Sequence, residues 1–189
     1  MDEAERPHGP TEAELVDAAR GGDRAAWESL YRSVYPRLRS YLARRVGEVN
    51  VEDAVSETMT RAVAGIDRFE LGPVGFAGWL YGIARRVSVD HYRRSGRMGR
   101  QHDAAVRLVD GDATGPEDAL VLSEEHAAIR AGFGRLAPAE RELLELRVVA
   151  GLSAEEAASV LGKRPGAIRT AQYRALSHLR AILEDQAGE

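Results

Sequence analysis

A chain of 189 residues that is 44% hydrophobic and 30% charged has room for one domain or two small ones and the composition of a soluble globular protein. It has no cysteine for disulfides or thiolate metal sites, no apolar run of membrane-spanning length and no secretory-signal pattern at its acidic N-terminus, so the sequence predicts a cytoplasmic protein without direct membrane insertion. The net charge of −4 gives no sign of a nucleic-acid binder, but the charge lies in blocks, since Asp103, Asp110, Asp112, Glu117, Asp118, Glu124 and Glu125 face only Arg107 in a stretch flanked by basic segments.

Residues 1–10, polar with two prolines, read as a disordered tail. Thr11 and Glu14 form a capping box for a short helix carrying Leu15, Val16, Ala18 and Ala19 and stopped by Gly21 and Gly22. Asp23 caps a longer helix on which Trp27, Leu30, Tyr31, Val34, Leu38, Tyr41 and Leu42 share one face. Pro36 conflicts with that pattern and implies either a kink or a division into two helices. After a break at residues 47–50, VEDAVSETMTRAVAGI predicts a helix with Val55, Met59, Ala62 and Ile66 buried and Asp53, Ser56, Glu57 and Thr60 on the opposite side. That acidic side fits a basic partner, although a plain solvated face has the same composition. Residues 67–78, with three glycines and a proline, read as a loop.

The next segment, WLYGIARRVSVDHYRRSGR, is helical by pattern, with Trp79, Ile83 and Val87 inward. Its polar side carries Arg85, Arg86, Arg93, Arg94 and Arg97, relieved only by Asp90, with Tyr81 and Tyr92 among them. Cations interleaved with aromatics suit a nucleic-acid strand whose bases have left the stack, because every base offers a face to stack on and a phosphate to neutralise. Burial of the same rings in a core is the competing reading. Residues 99–116 have little periodicity and form the expected linker. Helix resumes near Pro116, Leu120, Ile129 and Phe133 lead to Leu136, and Pro138 opens a helix with Leu143, Leu146 and Val149 available for packing.

From Gly151 onward the local signals are sharper. Ser153 and Glu156 form a capping box, Leu161 and Gly162 end that helix, and Pro165 opens another, which is a helix-turn-helix. On the second helix Ile168, Ala175, Leu179 and Ile182 pack inward, leaving Arg169, Thr170, Gln172, Tyr173 and Arg174 outward. Between Lys163 and Arg180 stand Lys163, Arg164, Arg169, Arg174 and Arg180 and no carboxylate. An ordinary solvated helix mixes signs to pair them, so one of a single sign fits a polyanion. Phosphates supply it, and an arginine fork can also read a guanine edge. Arginine is the habit of this chain, however, since Lys163 is its single lysine. No strand pattern or internal repeat emerges, so the fold class is all-α, with two small helical domains at 11–98 and 117–185 joined by a flexible acidic linker.

Taken together, the chain resembles the extracytoplasmic-function (ECF) sigma factors of the sigma-70 family, over roughly residues 23–98 and 117–183. The family pattern of an acidic helix, a loop and FxxWLxxIAxxxxxDxxRR appears as VEDAVSETMTRAVAGIDRFE and FAGWLYGIARRVSVDHYRR, and the pattern LPxxxRxxxxLR with GLSxxExAxxLG appears as LAPAERELLELRVVAGLSAEEAASVLG. The resemblance implies a sigma domain 2 that binds the core of bacterial RNA polymerase and the promoter −10 element, followed by a sigma domain 4 that binds the −35 element. The acidic helix would dock on the polymerase β′ subunit through Asp53, Ser56, Glu57 and Arg61, with β as a further core contact; Ser56 stands where the family commonly has Gln. The loop at 67–78 corresponds to one that captures a flipped −10 base, with Arg85, Arg86, Arg93 and Arg94 supplying charge. Arg169, Thr170, Tyr173 and Arg174 fall at the family's −35 DNA positions, and Lys163 and Arg164 add charge for phosphate there, Arg164 standing where the family often has a Ser cap. An anti-sigma factor is also implied as a partner.

Two other functions compete. A helix-turn-helix regulator acting without polymerase accounts for 151–183 and leaves the first half unexplained. An enzyme would need a nucleophile constellation or phosphate loop, and five scattered histidines supply neither. The expectation is a non-enzymatic protein with no cofactor, no metal and no small-molecule substrate.

Overall fold

A computed structural model describes residues 9–94 and 127–187. Among these residues the regular elements are all helical, as the sequence predicts: α1 (Glu12–Arg20), α2 (Arg24–Val46), α3 (Val51–Gly65), α4 (Gly75–Arg94), α5 (127–135), α6 (Pro138–Leu144), α7 (Ala154–Leu161) and α8 (Pro165–Ala187). Short 3-10 turns occupy Glu48–Asn50 and Ile66–Arg68, and a π turn occupies Glu145–Val149. The expected linker at 99–116, Arg97, Leu120 and most of the tail at 1–10 lie outside the described residues.

The capping chemistry forms as read. Thr11 Oγ1 accepts from the Glu14 amide at 3.3 Å while the Glu14 carboxylate accepts from the Thr11 amide at 2.8 Å, and the Asp23 carboxylate accepts from the Ala25 amide at 2.7 Å. The division suggested by Pro36 does not occur, because α2 runs unbroken from Arg24 to Val46 with the proline on its exposed side. There the carbonyl that lost its intrahelical donor can turn to water, while Leu30, Val34, Leu38, Tyr41 and Leu42 hold the buried side.

Two expectations need correction. Residues 75–78 are not loop: α4 begins at Gly75, and the Glu12 carboxylate, reaching across from α1, accepts from the Phe76 amide. A cap supplied by a residue 64 positions away has no local signature. Tyr81 is not displayed among the arginines but is 1% exposed and set edge-to-face against Tyr41, with ring centroids 5.1 Å apart. Trp79 stacks on Phe69 at 4.6 Å, which places it with the packed rings as expected.

The two halves of the chain pack on one another. Phe133, Leu136, Leu144, Ala175 and Ile182 form a small cluster private to the second half, but Leu143, Leu146, Ala150, Leu152, Ala154, Ala157, Ala158 and Ile168 belong to the same contiguous core as Leu38, Tyr41, Leu80 and Tyr81. Helix α7 lies against α4, and at Gly78 a Cβ would fall 3.1 Å from Glu156 Cβ and 2.6 Å from a Val74 methyl carbon. Only glycine leaves room there, and the small Ala154, Ala157 and Ala158 line the facing helix.

Charges close the edge of this contact. Arg45 lies over the Tyr41 ring at 4.6 Å and reaches Glu145 at 2.8 Å and Glu142 at 3.4 Å; Glu142 also accepts from Arg85 Nε at 2.8 Å. Glu145 is 5% exposed. Burial pushes its carboxyl above the ordinary range, with the attraction of Arg45 and Arg44 opposing that shift only in part.

Candidate nucleic-acid interface

Helix α7 opens with the predicted capping box, in which Ser153 Oγ accepts from the Glu156 amide at 3.1 Å and the Glu156 carboxylate from the Ser153 amide at 2.6 Å. Its end is set by Gly162 in the left-handed region at φ +64, which turns the chain so that the Lys163 amide reaches the Ala158 carbonyl at 2.9 Å. Pro165 then starts α8, and Ile168, Ala175 and Ile182 bury its inner face. Two helices held at this turn present the outer face of α8 as one surface.

On that surface Lys163, Arg164, Arg169, Thr170, Tyr173 and Arg174 are all exposed, as expected, with Tyr173 75% exposed. Their local partners differ. Thr170 Oγ1 donates to the Gly166 carbonyl at 3.1 Å, and Arg169 Nη2 is 2.5 Å from Glu155 on α7. Gln172 is half-buried and accepts from Arg147 Nε at 2.7 Å, while Arg147 also donates to the Leu152 carbonyl. Among the described residues, Lys163, Arg164, Arg174 and Arg180 make no ion pair. Four cations without counter-ions beside an exposed tyrosine form a surface suited to a phosphate backbone.

In the first half, Asp53, Ser56 and Arg61 are exposed on α3 and Glu57 is half-buried. Glu57 binds Arg61 at 2.6 Å and Arg94 at 2.9 Å, and Arg61 also reaches Asp90 at 3.0 Å. The Arg94 hydrogen bond holds the Glu57 carboxyl below its ordinary range; burial opposes that shift, and the charges of Arg61 and Arg94 add to it. Two residue sets that the sequence assigns to different partners are therefore one network across α3 and α4. Beside it, Tyr31, Val55, Ser56, Met59, Thr60 and Val63 line an open groove of about 630 Å³. Arg86 and Arg93 are exposed, whereas Arg85 is held by Glu142 of the second half. Sequence reasoning missed Glu142 as the partner of Arg85 and Glu155 as the partner of Arg169. Only Glu155 left a trace, as an acid in the first turn of the helix preceding the basic one.

The family model Sigma-70 region 2 matches residues 30–98, and Sigma-70, region 4 matches residues 126–179. Over 90% of this chain and 94% of the relative, the sequence is 35% identical to the ECF RNA polymerase sigma factor ShbA of Streptomyces griseus. The chain belongs to the ECF sigma factors. It is also 36% identical to the ECF sigma factor BldN of Streptomyces coelicolor, covering 92% of this chain but 66% of BldN, just under two thirds of that relative's length. Among solved structures, CnrH in complex with the cytosolic domain of CnrY, CnrH being an RNA polymerase sigma factor of Cupriavidus metallidurans, aligns over 90% of this chain with a TM-score of 0.66 and 25% identity. A helix-turn-helix regulator without polymerase is not favoured, because the region 2 match covers α3 and α4, which such a regulator leaves without a role. As an ECF sigma factor, the chain directs transcription initiation by RNA polymerase. Among the described residues no helix is long and apolar enough to cross a membrane, and no group of three or more His, Asp or Glu is placed to hold a metal.

Proposed function

We propose that this ECF sigma factor uses two units, 11–98 and 117–185, for two jobs. Asp53, Ser56, Glu57 and Arg61 on α3 dock on core polymerase, chiefly its β′ subunit, with β as a further contact. Arg85, Arg86, Arg93 and Arg94 neutralise the opened −10 strand, and Lys163, Arg164, Arg169, Thr170, Tyr173 and Arg174 engage the −35 duplex. The chain supplies no catalytic group; bond formation stays with polymerase. It acts in the cytoplasm, and an anti-sigma factor restrains it, as the complex of CnrH with CnrY suggests by analogy.

The observation that carries this reading is the coexistence, in one chain, of a region 2 match with its own acidic helix and a region 4 match whose turn and α8 carry Lys163, Arg164, Arg174 and Arg180 without an ion pair among the described residues. Core polymerase is the only part of the scheme that needs both. The test uses the full chain: Asp53→Ala with Glu57→Ala should weaken capture by core polymerase before any DNA is added, while binding of the same protein to a −35 duplex stays as in the wild type. Wild-type capture by the double variant sinks the docking assignment. Failure of the wild-type chain to bind core at all sinks the scheme.

A further inference from the structure

Among the described residues Glu155 is the one carboxylate bonded to a −35 candidate of α8, whereas Glu140 meets His178 of the same helix at 3.0 Å. It occupies the second position of α7, after the Ser153 cap and Ala154, and its Oε1 lies 2.5 Å from Arg169 Nη2. Helix-dipole stabilisation accounts for an acid in a first turn. It does not account for an acid whose partner sits on the neighbouring helix, at the centre of a surface otherwise carrying Lys163, Arg164, Arg174 and Arg180. Toward any phosphate backbone a carboxylate there is repulsive, so its effect on raw affinity is unfavourable.

Its effect on discrimination has the other sign. An arginine free in water contacts whichever acceptor comes nearest, and phosphates are always nearest. Holding one terminal nitrogen restricts where the guanidinium can turn, leaving Nε and Nη1 as donors without a bonded partner among the described residues. We propose that Glu155 is a positioning residue for promoter reading: it holds Arg169 for a base edge and withholds it from phosphate, so that α8 has one oriented arginine, Arg169, beside Arg174, which makes no ion pair among the described residues. This rests on the −35 assignment of α8 made above. Arg147 does the same kind of work for Gln172, which it holds from the π turn at 2.7 Å.

The experiment compares the full-length chain and its Glu155→Ala, Arg169→Ala and doubly substituted variants on two duplexes at several salt concentrations. One duplex is selected by the wild-type chain from a randomised library, and the other is its scrambled counterpart. In Glu155→Ala the ratio of selected to scrambled affinity should fall about three- to tenfold, mainly through tighter binding to the scrambled duplex, with a salt slope steeper by about one phosphate contact. Both changes should vanish when Arg169 is already alanine, since the effect runs through that side chain. Equal loss on both duplexes, or the same loss with Arg169 removed, shows that Glu155 acts only by stabilising α7 and overturns the inference alone. If Arg169→Ala binds both duplexes like the wild type, the −35 role of Arg169 falls as well.

Discussion

Helices α4 and α8 both carry a row of arginines, yet the two rows stand in different electrostatic circumstances. On α4, Arg85 is held by Glu142 and Arg94 by Glu57, so two of its four DNA candidates already have carboxylates. In the turn before α8 and on α8, Lys163, Arg164 and Arg174 have none among the described residues, and of the −35 candidates Arg169 alone is paired. A cation with a partner must exchange it before it can serve a phosphate, and the exchange recovers only the difference between two pairings. The proposed −10 surface is therefore partly engaged by carboxylates of the chain itself, whereas the proposed −35 surface is engaged only at Arg169 among the described residues. One of those interactions, Arg85 with Glu142, joins the two halves, so separating the halves would also free Arg85.

The largest effect should come from forcing that separation. Gly78→Val places a branched side chain where a Cβ already meets Glu156, and overpacking of this kind costs up to about 3 kcal/mol. The expected result is an expanded chain in solution scattering, with α7 no longer seated on α4; unchanged dimensions would mean that the halves are not held together at Gly78.

Next in size is the test of the proposed −35 surface. Arg174→Ala should lose about 1–3 kcal/mol on a selected −35 duplex and relax preference at one or two positions. Lys163→Ala, in the turn, should weaken all duplexes alike and make the salt slope shallower by about one unit. Equal behaviour of the two variants would turn α8 into a non-specific clamp and erase its contrast with α4.

The smallest effect is a difference of sign with pH. Glu57, with its folded pKa depressed, contributes stability that is present above the unfolded value near 4.5 and lost as pH falls through the folded value. Glu145 runs the other way: its raised folded pKa means that the charged form is penalised in the packed state, and protonation as pH falls toward 4.5 stabilises that state. Relative to Glu145→Gln, the wild type should gain stability in thermal melts as pH drops through that window, whereas relative to Glu57→Gln it should lose stability. Parallel trends would show that the two carboxylates are not in opposite environments.

Much of the fold was legible because its signals are local. The capping boxes at Thr11 and Ser153, the Asp23 cap, the inward Ile168, Ala175 and Ile182 and the turn at Gly162 all follow from short-range sequence pattern. What escaped depends on residues far apart in sequence. Glu12 capping α4 converted an apparent glycine loop into the first turn of a helix, and Tyr81 was buried by Tyr41 from a different helix. The −35 candidates were readable for the same reason as the turn, since exposure on α8 follows from helical period alone. Arg85, Glu57 and Arg94 were placed on the correct helices, but their partners could not be read, because pairing across helices depends on packing that periodicity does not encode. The small faces at Gly78 and at Ala154, Ala157 and Ala158 were the one available hint that α4 and α7 meet closely.

Lys163 has a consequence of a practical kind. It is the only lysine in the chain and stands exposed in the turn before α8, so the protein carries a single side-chain amine. An isotope introduced by lysine labelling alone therefore reports from one point of the helix-turn-helix without the introduction of a cysteine, whereas an amine-reactive dye would remove the Lys163 charge. Distance measurements from that point to a label on promoter DNA would follow the approach of α8 to the −35 duplex directly, with every arginine of the surface left in place.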